Sequence, residues 1–225
     1  MCWSASVSLG TFLFSLVATI LGVVAGVVSP SLAVLFASFF TIQLIEAVAW
    51  TAIGRTCLAD STRATGPAAL AALVLLHLQP FAAIAFGLGS ARVASWPWGR
   101  PLMWTLAAVY SVVLVLAIAA YLPQLQKMQT HTGARLGMEP APNGHLRWSF
   151  LDRPEPLNLA AYMVAFLVPV TLAAPPWISA IVWITLAASV VSYRTQGTWG
   201  TMWCWSANAI SLVFLGLVVS KLLKK

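Results

Sequence analysis

Acidic residues are nearly absent from this chain. Of 225 residues only five are Asp or Glu, and charged residues of both signs make up 8%. A water-soluble core needs far more polar covering, so this scarcity excludes an ordinary soluble domain. Cysteine is scarce as well. Cys2, Cys57 and Cys204 form no CxxC pair, which leaves a dithiol redox enzyme without its motif. No metal-ligand cluster, nucleophile elbow or nucleotide-binding loop can be read. The opening Met1-Cys2-Trp3-Ser4-Ala5-Ser6 carries no charge and so lacks the basic segment of a signal peptide. The first apolar run is therefore expected to stay as a membrane span.

What the chain does have is apolar surface. Hydrophobic residues reach 60% and the mean hydropathy is +0.90, values that belong to a polytopic membrane protein. The formal charge of +7 comes from Lys and Arg that mostly flank apolar runs, which reads as anchoring in a lipid bilayer and not as nucleic-acid binding. Trp3, Trp96, Trp98, Trp104, Trp177, Trp199 and Trp203, from a total of eleven Trp, fall near the ends of those runs. Indole rings favour the headgroup zone, so most are expected in an aromatic belt.

The runs predict a single all-α domain over 1–225, a seven-transmembrane-helix bundle with spans at 5–28, 31–53, 67–89, 101–122, 157–174, 177–193 and 200–221. A polar loop covers 123–156. The fifth and sixth spans are short and join through Pro175-Pro176, so a six-span form with a re-entrant hairpin is the alternative. Uncharged Pro turns link spans one to two and five to six, which hints at a 3+1+3 layout. Ser15, Thr19, Gly22 and Gly26 line one side of span one, where small residues allow close helix packing within the chain.

Glu46 is the one acidic residue inside the apolar segments. On a helix it shares a face with Gln43 and Trp50. A carboxyl at membrane depth costs between roughly 2.5 and more than 10 kcal/mol unless protonated, paired or hydrated. Depth counting shows what could meet it. If the end holding the N-terminus is face A, Glu46 lies roughly two turns below that face, at the level of His77, with Gln79 and Asn208 close by. Tyr121, Tyr162, Thr185, Ser189 and Tyr193 occupy the same half, while the half toward the opposite face B is nearly all Leu, Val, Ala and Phe. The expectation is a polar cavity open to face A. Glu46 would be its proton or cation site, His77 the partner, and Gln43, Gln79, Asn208 and Tyr162 the wall. Asn208, Thr185 and Ser189 also have a plain reading as interhelical glue.

All three cysteines fall toward face A. Free structural thiols are the expectation, with Cys2–Cys57 and Cys2–Cys204 the candidate disulfides if face A is extracytoplasmic or lumenal. Orientation rests on the Lys221-Leu222-Leu223-Lys224-Lys225 tail, tight against its span. It places the C-terminus in the cytosol and the N-terminus on the extracytoplasmic side.

Five runs carry a resemblance: Met1-Cys2-Trp3-Ser4-Ala5, Gln43-Leu44-Ile45-Glu46, Gln79-Pro80, His145-Leu146-Arg147-Trp148 and Met202-Trp203-Cys204-Trp205. Together they resemble a family of small multi-pass membrane proteins of large DNA viruses and protists, carried as a domain of unknown function. The resemblance implies an integral membrane fold and brings no activity or cofactor. It suggests an aromatic cap at face A in which Trp3, Trp203 and Trp205 pack together and His145 and Trp148 fold over them. Two better-known families fit less well. A microbial rhodopsin needs a mid-span lysine in its seventh helix, and Lys221 stands at the far end. Tyr121-Leu122-Pro123-Gln124 looks like a PQ-loop motif, which should recur in both halves and occurs once.

Three functions remain after these exclusions. One is a small-solute or proton-coupled transporter, or a ligand-binding membrane protein, using the cavity. The second is a structural subunit or assembly factor of a larger membrane complex. The third is an intramembrane enzyme with Glu46 and His77 as acid and base, resting on the fewest residues.

Overall fold

The structure is a computed structural model that describes residues 4–54, 64–129, 137–151 and 156–224, those at 121–129, 151 and 156–157 by backbone alone. Helix α1 (Ala5–Val24) starts where the Ser4 hydroxyl accepts from the Val7 amide. Its return to α2 (Pro30–Ile53) needs a left-handed residue, supplied by Gly26 at φ 65°. Ser29 caps α2 and Pro30 fills its first turn, where a missing N–H costs nothing. Gly26 thus serves the turn and not a helix seam. Gly22 does serve packing, since a Cβ there would meet Val28 Cγ2 at 2.6 Å.

Helix α3 (Gly66–Leu88) runs on through Pro80, and a single turn, α4 (Ala91–Ala94), leads to α5 (Gly99–Gln129). Here the structure departs from the expected boundary. The helix continues past Pro123 for two more turns, and its 31 residues span about 46 Å. That exceeds the roughly 30 Å of bilayer hydrocarbon, so its last turns stand clear of the apolar layer. The long segment that follows is not plain loop either. Strands β1 (Met138–Pro140) and β2 (Leu146–Trp148) pair antiparallel, Met138 opposite Trp148. Next come α6 (Pro156–Ala173) and α7 (Pro176–Tyr193). The final span is broken at Asn208 into α8 (Trp199–Ala207) and α9 (Ala209–Leu222).

Six helical segments are long and apolar enough to cross a membrane: α1, α2, α3, α5, α7 with the turn after it, and α8 with α9. Helix α6 is apolar but shorter. The chain is thus an all-α polytopic membrane bundle.

Hydrogen bonds sort the chain reversals onto two ends. At one end Lys221 Nζ donates to the Ala25 carbonyl, and Arg92 Nη1 donates to that of Ala174, so cations satisfy the open carbonyls after α1 and α6. The other end holds the hairpin and the starts of α3 and α8. Between them lies an aromatic core. Phe39, Phe166 and Trp203 meet edge to face with centroids 5.4–5.7 Å apart, and Phe36 meets Phe214 at 5.4 Å. Outside, Leu13, Val17, Ile20, Val112, Val115 and Val191 are exposed, as side chains facing acyl chains must be. Trp96, Trp98, Trp104 and Trp177 are exposed near the Arg92 end, in keeping with an aromatic belt, whereas Trp203 is core.

Candidate functional site

The hairpin is what completes the site. Thr65, just before α3, donates its hydroxyl to the Met138 carbonyl and accepts the Met138 amide, both at 2.8 Å. Thr201 on α8 donates to the Leu146 carbonyl at 2.8 Å, and the Asn143 amide donates to the Thr198 hydroxyl at 2.9 Å. A cross-strand ion pair, Arg147 to Glu139 at 3.1 Å, covers the outer side. These anchors press Met138, Leu146 and Trp148 into full burial. Trp148 thereby reaches Glu46.

Glu46 is 3% exposed, and the side chains of Thr201, Gln43 and Trp148 stand around its carboxyl. Proximity does not make them partners. Oε1 of Glu46, both ends of the Gln43 amide and the Trp148 indole N–H make no hydrogen bond in acceptable geometry. The Thr201 hydroxyl hydrogen is directed to Leu146. Ser8, Glu46, Trp50, His145, Thr201 and Trp205 border a cavity of about 10 Å³, close to what one water needs.

The expected pairing of Glu46 with His77 is not made. His77 is not among the groups around the carboxyl. Its Nδ1 lies 2.8 Å from the Leu73 carbonyl, one turn back on its own helix, and its ring faces another cavity. Depth counting puts the two residues at one level but says nothing about rotation, and α3 turns His77 toward α5 and α6. Gln79 is also engaged elsewhere. It donates from Nε2 to the Ser38 carbonyl at 3.1 Å and accepts from the Tyr162 hydroxyl, tying α2, α3 and α6 together. Asn208 accepts from the Ser15 hydroxyl at 3.0 Å and donates to the Cys204 carbonyl at 2.8 Å. Its own backbone N–H bonds three residues back, to Trp205, so the side chain takes over the helical acceptor and the span breaks there. Of the wall expected around Glu46, only Gln43 is in place.

The aromatic cap forms in part. His145 and Trp205 border the small cavity, and the Trp205 indole donates to the Thr11 hydroxyl at 3.3 Å. The His145 ring stands edge-on to Tyr193, centroids 5.7 Å apart, and burial lowers its pKa from the ordinary 6.5. Trp148 lies beneath, while Trp203 belongs to the core and Trp3 lies outside the described residues. Cys204 is a buried free thiol, so the bond to Cys2 is not formed; Cys2 and Cys57 also lie outside the described residues. Among the described residues no three His, Cys, Asp or Glu come together as metal ligands.

A second cavity, about 80 Å³, lies between α3, α5, α6, α8 and the hairpin. Its floor is the buried Leu73, Tyr110, Trp148, Trp203 and Cys204; its rim is the half-buried His77, Val113, Asn158, Leu159 and Trp199. Tyr110, Asn158 and Trp199 escaped sequence reasoning as site residues. The signal was there for two of them, since Tyr110 and Asn158 carry the polar tips in otherwise apolar stretches of α5 and α6.

No protein-family model, curated protein or solved structure matches the chain, so geometry alone carries the functional argument.

Proposed function

We propose that this polytopic membrane protein binds a small amphiphile in the cleft between α3, α5, α6 and α8. The observation that supports it most is the cleft's division of chemistry. Aromatic rings and Leu73 form the floor, and the polar atoms of His77 and Asn158 sit at the rim. An apolar tail would enter the floor while a single polar group stays at the rim. Size narrows the choice. At about 80 Å³ the cleft is roughly half the ~150 Å³ of a cavity that encloses benzene, so it takes the end of a molecule and not the whole of it.

Transport of a solute past Glu46 fits less well, because the cavity there has room for about one water. Membership of the viral and protist family described above is likewise part of this proposal and rests on the five shared runs.

The test is photolabelling in lipid nanodiscs with a fatty alcohol carrying a diazirine. Label is expected on peptides holding Leu73, Tyr110 and Tyr162, with at least a tenfold loss in Val113→Phe, which fills the rim. Label confined to the outward-facing residues of α1 and α5, unchanged in that variant, would exclude the reading.

A further inference from the structure

The small cavity beside Glu46 poses a separate problem, independent of the amphiphile cleft. A carboxyl oxygen of Glu46 and the Gln43 amide stand side by side, both essentially buried, and neither makes a hydrogen bond of acceptable geometry. Beside the Glu46 carboxyl is a space the size of one water. The side-chain oxygens that border it are those of Glu46, Thr201 and Ser8, and the Gln43 amide stands next to the same carboxyl. Thr201 has given its hydrogen to Leu146, so what remains on that oxygen is lone pairs. A set made of one carboxylate, an amide oxygen and hydroxyls is hard and oxygen-only.

Charge points the same way. Among the described residues no Lys or Arg acts on Glu46. The described titratable groups facing it are His145 across the cavity and Cys204 on α8. Neither offers a compensating cation, since burial favours the neutral form of His145 and a thiol carries no positive charge. An ionised carboxylate at this depth is costly, and either a proton on it or one bound cation of water size removes that cost.

We infer that Glu46, Thr201 and Ser8, with Gln43 beside the carboxyl, form a binding site for one water-sized monovalent cation, a sodium ion. The hairpin is its roof, since His145 and Leu146 border the cavity and the Leu146–Thr201 bond holds them there.

The test is thermal unfolding of the full chain in nanodiscs at constant ionic strength. Sodium chloride is exchanged for choline chloride at pH 8.5, and the sodium-free sample is then taken from pH 8.5 to 6. A sodium site gives a saturating rise of roughly 5–10 °C at hundredfold excess over Kd, abolished in Glu46→Gln. A rise on acidification without any sodium effect, abolished in Glu46→Gln, means that the carboxyl is simply protonated and overturns the inference. Should Glu46→Gln fail to fold, Gln43→Leu serves instead, with the apparent Kd weakened several-fold. The His145 imidazole cannot imitate the acid arm. Its fold-favoured neutral form makes acid destabilising through that group, and His145→Asn should leave the rise in place. A wild type indifferent to sodium overturns the inference, as does a Glu46→Gln or Gln43→Leu protein that responds to sodium like the wild type.

Discussion

Tyr162 and Gln79 show how a polar group earns its place in an apolar bundle. The Gln79 amide is fully buried, and each of its ends has one partner, from α2 and α6. Removing one donor is worse than removing a whole pair, because the acceptor is left dry. Tyr162→Phe should therefore cost about 1–3 kcal/mol, read as a fall in melting temperature of the purified protein. A loss within error would mean that the Gln79 oxygen finds another donor. Sequence reasoning placed Gln79 and Tyr162 in one half of the membrane and missed that they satisfy each other. Residue type and depth can be read from a linear chain. A hydrogen bond between helices depends on the angle each helix presents, and no local pattern records that angle.

At the scale of elements, the β-hairpin matters most, and it was the least visible. Its strands are three residues each, too short for alternation to stand out within a polar stretch. Yet Leu146, Arg147 and Trp148 do alternate inward, outward, inward. What fixes them is Thr65 and Thr201, residues with no marking in sequence beyond being threonines at the ends of helices. In the double variant Thr65→Val, Thr201→Val three hydrogen bonds are lost at about 1 kcal/mol each. Amides of residues 138–148 should then exchange at least tenfold faster while the helical circular dichroism is retained. Unchanged exchange would show that burial of Met138, Leu146 and Trp148 alone seats the hairpin. The break at Asn208 has the same lesson from the other side. Asparagine competes with backbone donors anywhere, but its use here depends on Ser15 arriving from α1.

For the whole molecule, the two ends of the bundle differ in what they carry. One carries the hairpin, Glu46 and both cavities; the other carries the exposed Trp96, Trp98 and Trp104 together with Arg92 and Lys221. The charged C-terminal tail gives the expectation that the second end faces the cytosol. With Cys2 and Cys57 replaced by Ser, an impermeant maleimide on intact cells should label Pro142→Cys in the hairpin and spare Trp98→Cys until the cells are opened. The reverse pattern would invert the protein in its membrane.

The sequence by itself determined the membrane class and the long apolar helices, because hydropathy is a property of short consecutive stretches. Tertiary structure alone decided that Glu46 meets Trp148 and Thr201 while His77 turns to another cleft. Rotation about each helix axis and the docking of a loop are settled by packing against distant residues, and such contacts leave no local trace in the chain.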